Sequence, residues 1–92
     1  MEVKTFGVIG AGQMGNGIAQ VAAMSGLQVI MNDINDEFVQ RGMNNITNLL
    51  TKSVEKGKMS ADEKAAVLGR IKTSVSLQDM AAADYVVEAA TE

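Results

Sequence analysis

The chain contains no cysteine, no histidine, no proline and no tryptophan, and only two phenylalanines and one tyrosine among its 92 residues. Without cysteine there is neither a disulfide framework nor a thiolate metal site, and without histidine the usual zinc and iron ligand sets are missing too. A metal centre is therefore not expected. Positive charge is also scarce: eight Lys and Arg stand against eleven Asp and Glu, a net charge of -3. A nucleic-acid binder normally carries a basic face, so a nucleic-acid partner is not expected. Proline-rich linkers, low-complexity stretches and internal repeats are lacking as well, which leaves one small domain.

What is present is ordinary for a folded, soluble protein: 47% of residues are apolar and 21% charged. A domain this size buries about two thirds of the surface its unfolded chain exposes. No charged residue occurs between Thr5 and Asn32, which raises the question of a membrane span. Gln13, Asn16, Gln20, Ser25 and Gln28 interrupt that run and glycines crowd its first half, so a buried strand, turn and helix account for it better. Glu2 and Lys4 precede the apolar residues, and no secretory apolar segment is seen. The sequence reads as a cytoplasmic protein with no membrane partner.

Val3 to Ile9 reads as a buried parallel strand ending at Gly10. A helix follows from Met14 to Ser25, with Ile18, Val21, Ala22 and Ala23 at helical spacing and Gly26 where a left-handed cap belongs. Leu27 to Met31 is a second short strand. Asn35 then caps a long helix from about Asp36 to Glu55, with Phe38, Val39, Met43, Ile46, Leu49, Leu50 and Val54 on its apolar stripe. Gly42 inside it costs roughly 1 kcal/mol against alanine and implies a close packing contact. Ser60 and Glu63 have capping-box spacing and open a helix through about Gly69. Ile71 to Val75 is a third strand, Leu77 to Ala82 a short helix, and Asp84 to Glu88 a fourth strand.

This alternation predicts an α/β fold: a Rossmann-type parallel sheet of about four strands with helices on both faces and a helical hairpin between strands two and three. The fourth strand is expected at an exposed apolar edge, which favours a homo-oligomer.

Gly10-Ala11-Gly12-Gln13-Met14-Gly15 matches G-x-G-x-x-G, a spacing that a chain with this glycine content shows by chance about one time in ten. Three circumstances raise its weight: it follows a strand, opens a helix, and is followed at the end of the second strand by Asp33. Gly10 turns the chain sharply, Gly12 has no Cβ to block a pyrophosphate, and Gly15 lets helix and strand approach. The cofactor phosphates then meet the N–H groups of Gln13 and Met14 at the positive end of the helix dipole.

Asp33 has two readings, a hydrogen-bond acceptor for the adenosine ribose or a helix N-cap or solvated turn residue. On the first, a 2′-phosphate about 4 Å from the carboxylate is repelled by about 4 kcal/mol at an effective dielectric of 20, so NAD is preferred over NADP. Lys52, Lys56 and Lys58 cluster at the end of the long helix, where a solvated helix end explains them. The seven methionines read as core filler and an initiator.

Taken with these residues, "VIGAGQMGNGIAQ", "DINDEFVQRG", "KGKM" and "DYVVEAATE" resemble, in the same order, stretches of the 3-hydroxyacyl-CoA dehydrogenase family, above all its bacterial 3-hydroxybutyryl-CoA branch. The resemblance runs the length of the chain. It implies oxidation of an L-3-hydroxyacyl-CoA by hydride transfer to NAD, or the reverse, in fatty acid and butyrate metabolism. By position it implies that Gly10, Gly12, Gln13, Met14 and Gly15 hold the pyrophosphate and Asp33 the adenosine ribose, with Ala89 beside the cofactor and Glu92 near the nicotinamide. It also implies that Lys56, and less so Lys52, meets the phosphates of an acyl-CoA substrate, a lysine there acting as a flexible point charge.

The family's catalytic histidine and its partner glutamate, its substrate-site serine and asparagine, and its helical dimerisation domain would all lie beyond residue 92. The chain itself offers no catalytic residue of that kind. The expectation is the amino-terminal part of an NAD-binding domain that binds NAD without turnover. Two rivals are a fragment of a β-hydroxyacid dehydrogenase and a non-catalytic NAD-sensing module. The first usually places an arginine suited to NADP after the second strand, where this chain has Asn32-Asp33.

Overall fold

The computed structural model describes residues 4–89. Four parallel strands, β1 (Thr5–Ile9), β2 (Gln28–Asn32), β3 (Ile71–Ser74) and β4 (Tyr85–Glu88), lie in the order β3-β2-β1-β4. Between them run α1 (Gln13–Met24), α2 (Asp36–Glu55), α3 (Ala61–Gly69) and a 3-10 helix (Leu77–Ala82). This is the expected doubly wound sheet, with the α2–α3 hairpin between strands two and three. The strand ends are in register: Ile9 pairs with Asn32 and Glu88, and Asn32 with Ser74, so every loop that follows a strand, among the described residues, opens on one rim.

Local chemistry sets the helix limits. The Asn35 side chain accepts from the Phe38 N–H, and Ser60 and Glu63 form the reciprocal capping box, so α2 and α3 start where their caps place them. Gly26 has φ +98° after α1 and Gly57 φ +75° after α2, left-handed positions that other residues rarely adopt. The segment over Leu77–Ala82 is a 3-10 helix, the tighter form usual for a single short connector.

Val8, Val29 and Met31 are sealed beneath α1 and α2, where they meet Ala19, Ala23, Val39, Ile46 and Leu50. Gly42 is where α2 comes closest: a Cβ there would stand 2.8 Å from the Ala11 carbonyl oxygen and 3.1 Å from Met31 Cε. This is the contact that its place in a helix implied. The opposite face carries the 3-10 helix, whose Met80 sulfur would be 2.6 Å from a Cβ on Gly7.

Three stripe assignments shift. Val21 is 65% exposed, Leu49 42% and Phe38 37%, because each sits at the margin of its helix's apolar arc, where burial depends on whether a neighbour is present. At the outer edge of the sheet, Tyr85 and Val86 are exposed, and the Tyr85 ring stacks on Phe6 at 5.6 Å. No helix among the described residues is long and apolar enough to cross a membrane.

Candidate functional site

The glycine turn lies on the rim where the strands end, and its three glycines do different work. Gly10 has φ +111°, a left-handed conformation, and its N–H donates to the Asn32 carbonyl at 2.6 Å, fastening the turn to β2. A Cβ on Gly15 would overlap the Gly10 carbonyl oxygen and come within 2.6 Å of its carbon. Gly15 thus permits the contact between helix and turn. Gly12 is the N-cap of α1, with φ -67° and ψ -170°, and a Cβ there would meet nothing within 4 Å. Neither sterics nor backbone strain within the chain requires a glycine at that position.

The two neighbouring helices and the 3-10 helix cap their own starts with Asn35, Ser60 and Ser76. Helix α1 has no side-chain cap. The N–H groups of its first turn, Gln13 and Met14 among them, have no carbonyl four residues back within the helix to bond, and both residues are exposed. An open helix start under a surface cleared by Gly12 is a fitting cradle for a phosphate.

Asp33 closes the second side of the turn. Its Oδ2 accepts from the Ala11 N–H at 2.8 Å and its Oδ1 from the Ile34 N–H at 2.7 Å, while its own N–H donates to the Ser74 carbonyl at 3.1 Å. The carboxylate is half-buried and keeps lone pairs on both oxygens for further donors. Ala89 stands across the turn, buried, with its N–H donating to the Ile9 carbonyl at 2.8 Å. Gly10, Gly12, Gln13, Met14, Gly15, Asp33 and Ala89 therefore share one rim. Glu92 lies outside the described residues.

Asn16, in the sequence only a polar break in an apolar run, is 5% exposed and organises the turn. Its Nδ2 donates to the Gly12 carbonyl at 2.8 Å, and its Oδ1 accepts from Asn45 Nδ2 on α2 at 2.9 Å. With Ala11, Gly12, Gln13, Arg41 and Gly42, these two asparagines line a groove of about 340 Å³ beside the start of α1. The signal for Asn16 was its position four residues after Gly12, one helical turn into α1.

Lys52 and Lys56 lie apart from this rim. Both are exposed, Lys52 in the last turn of α2 and Lys56 as its C-cap. Fourteen residues separate Gly42 from Lys56, about 21 Å of helix at 1.5 Å per residue. Asn45, Leu49, Lys52 and Lys56 follow at helical spacing, so one stripe of α2 connects the groove to the lysines. Lys58 is exposed in the turn beyond. No cluster of His, Cys, Asp and Glu suited to a metal occurs among the described residues.

The family model for the NAD binding domain of 3-hydroxyacyl-CoA dehydrogenase matches residues 5–92. The chain belongs to that family. A probable 3-hydroxybutyryl-CoA dehydrogenase of Deinococcus radiodurans is 55% identical over 87 residues, covering 95% of this chain and 31% of the relative. A probable 3-hydroxybutyryl-CoA dehydrogenase of Bacillus subtilis is 44% identical over 92 residues, 100% of this chain and 32% of its own length. Among solved structures, the (S)-3-hydroxybutyryl-CoA dehydrogenase of Ralstonia eutropha superposes with a TM-score of 0.96 at 47% identity, covering 99% of this chain and 32% of that one.

The chain thus spans about a third of the length of these dehydrogenases, the third that the family model describes as NAD-binding. The cofactor of this 3-hydroxyacyl-CoA dehydrogenase domain is NAD, and the cleared surface over Gly12 fits its pyrophosphate.

Proposed function

We propose that this chain is the NAD-binding portion of a dehydrogenase that interconverts L-3-hydroxybutyryl-CoA and the 3-ketoacyl-CoA. The observation that carries the reading is the uncapped start of α1 beneath the open position of Gly12, with Asp33 held against the same turn. Bound there, NAD supplies the hydride acceptor. The chain's own residues bind and orient it. The Gln13 and Met14 N–H groups meet the pyrophosphate at the positive end of α1, the Asp33 carboxylate accepts from the adenosine ribose hydroxyls, and Ala89 lines the path toward the nicotinamide. Glu92 takes the nicotinamide end.

The stripe from Asn45 to Lys56 suits an extended coenzyme with phosphates at its far end, so Lys56, assisted by Lys52, is assigned to the phosphates of the acyl-CoA substrate. The catalytic histidine of the reaction is assigned to sequence beyond residue 92, because the chain has no histidine. The parent enzyme is read as a cytoplasmic homo-oligomer. NMR titration tests these roles together. NAD should move the amide signals of Gly12, Gln13 and Met14, coenzyme A should move those of Lys52 and Lys56, and L-3-hydroxybutyryl-CoA with NAD should yield no NADH on this chain alone. Amide shifts confined to other elements, or measurable turnover, would overturn the assignment.

A further inference from the structure

On the sheet face opposite α1 and α2, a hydrogen-bonded chain runs from the 3-10 helix to the rim. Ser74 Oγ lies 2.7 Å from Asp79 Oδ2 and 2.9 Å from the Ser76 carbonyl oxygen, and it accepts from Asn32 Nδ2 at 3.1 Å and from the Ser76 N–H at 3.2 Å. A hydroxyl has two lone pairs and one proton. The two N–H donors take the lone pairs, so the proton goes to one of two acceptors, and the shorter, charge-assisted bond to the Asp79 carboxylate is the stronger. Asp79 thereby fixes the hydroxyl so that its lone pairs face Asn32. Both Asn32 and Ser74 are buried, at 4% and 7% exposure, where an unmatched polar group is costly and the arrangement is held firmly.

These residues flank Asp33 on both sides. The Asn32 carbonyl accepts the Gly10 N–H at 2.6 Å, and the Ser74 carbonyl accepts the Asp33 N–H at 3.1 Å. Asp33 then reaches back to Ala11 at 2.8 Å. We infer that Asn32, Ser74 and Asp79 are positioning residues that hold Asp33 over the glycine turn and so set how strongly the site recognises the 2′-hydroxyl of the adenosine ribose. None of the three needs to touch the cofactor. The inference rests on the ribose role given to Asp33 above.

The test measures, by calorimetry on this chain, the affinities for NAD and for the NAD analogue whose adenosine ribose lacks the 2′-hydroxyl. One charge-assisted hydrogen bond corresponds to a preference of about tenfold or more for NAD in the unaltered chain. Ser74→Ala and Asp79→Ala should each shrink that preference to about threefold or less by weakening NAD, with the analogue's affinity nearly unchanged. Asp79→Asn, whose amide oxygen still accepts from Ser74, should retain the preference. Asp79 is exposed, so its variants are not expected to disturb folding. A preference untouched in both alanine variants, or equal weakening of both ligands, would overturn the inference.

Failure of the unaltered chain to distinguish the two ligands would instead overturn the ribose role of Asp33. In that case hydrogen exchange at the Ala11 amide decides on positioning, since it should quicken in both alanine variants, and unchanged exchange would overturn the proposal.

Discussion

Gly12 and Gly15 are three residues apart in one motif, yet alanine at each should fail in a different way. At Gly15 the new methyl meets backbone: it overlaps the Gly10 carbonyl oxygen and stands 2.6 Å from the carbonyl carbon, well inside van der Waals contact. Relief requires α1 to move off the turn that Gly10 and Asp33 fasten to β2. Overpacking of this kind costs about 3 kcal/mol or more, against a total stability of about 5 to 14 kcal/mol for a chain of this length. The midpoint of thermal unfolding should fall by roughly 12 °C or more.

At Gly12 the methyl enters open space, and the φ of -67° suits alanine. A poorer N-cap, about 1 kcal/mol, is offset by about 0.4 to 1 kcal/mol from a stiffer unfolded chain, so the midpoint should move by no more than about 5 °C. The same methyl occupies the approach of the pyrophosphate. Loss of one charge-assisted bond to the α1 N–H groups, about 1.5 to 3 kcal/mol, should weaken NAD roughly 10- to 100-fold. Differential scanning calorimetry and NAD titration of the two variants separate the cases. A Gly12→Ala chain that binds NAD normally, or a Gly15→Ala chain with an unchanged midpoint, would refute the division of labour.

Asp33→Ala should weaken NAD by about tenfold or more and also lower stability by about 1 to 3 kcal/mol, because the Ala11 N–H loses its charged acceptor; calorimetric titration and chemical denaturation report the two separately. Arg70→Met should destabilise the chain by about 1 to 2 kcal/mol in a urea titration, since Arg70 Nη1 donates to the Ala23 carbonyl at 2.8 Å near the end of α1. Asp84 gives a pH signature: hydrogen bonds from the Thr5 N–H and then the Lys4 N–H, with the Lys4 charge adding to them, outweigh desolvation and lower its pKa below 3.8. A carboxyl with a depressed folded pKa stabilises above its unfolded value and loses that contribution as pH falls through the folded one. Asp84→Asn should therefore flatten the fall in thermal midpoint below about pH 4 and leave its slope near neutrality unaltered.

The parts of this molecule that could be read from its sequence are those governed by neighbours in the chain. Asn35, Ser60 and Glu63 set the starts of α2 and α3 through bonds spanning three residues, so these boundaries agree with the sequence reading. The glycine turn and Asp33 were legible for a similar reason, since motif spacing reflects the geometry of one strand, turn and helix. Among the described residues strand limits differ by one residue because a strand extends only as far as its partner does, and the placement of Val3 in the first strand lies outside them.

What escaped depends on distant partners. Asn16 looked like an interruption until Asn45, 29 residues away, supplied its hydrogen bond. Asn32 and Ser74 meet across 42 residues, a pairing that the parallel register creates and no local pattern announces. Val21 and Leu49 kept apolar spacing yet face outward, since periodicity locates the centre of a buried arc better than its margins.

The decisive measurement is titration of the 92-residue chain with NAD and, separately, with NADP. NAD should bind, and NADP should bind at least about tenfold more weakly, because a 2′-phosphate would lie against the Asp33 carboxylate. Equal or tighter binding of NADP would contradict the role of Asp33, and binding of neither would contradict the open start of α1 as a dinucleotide cradle.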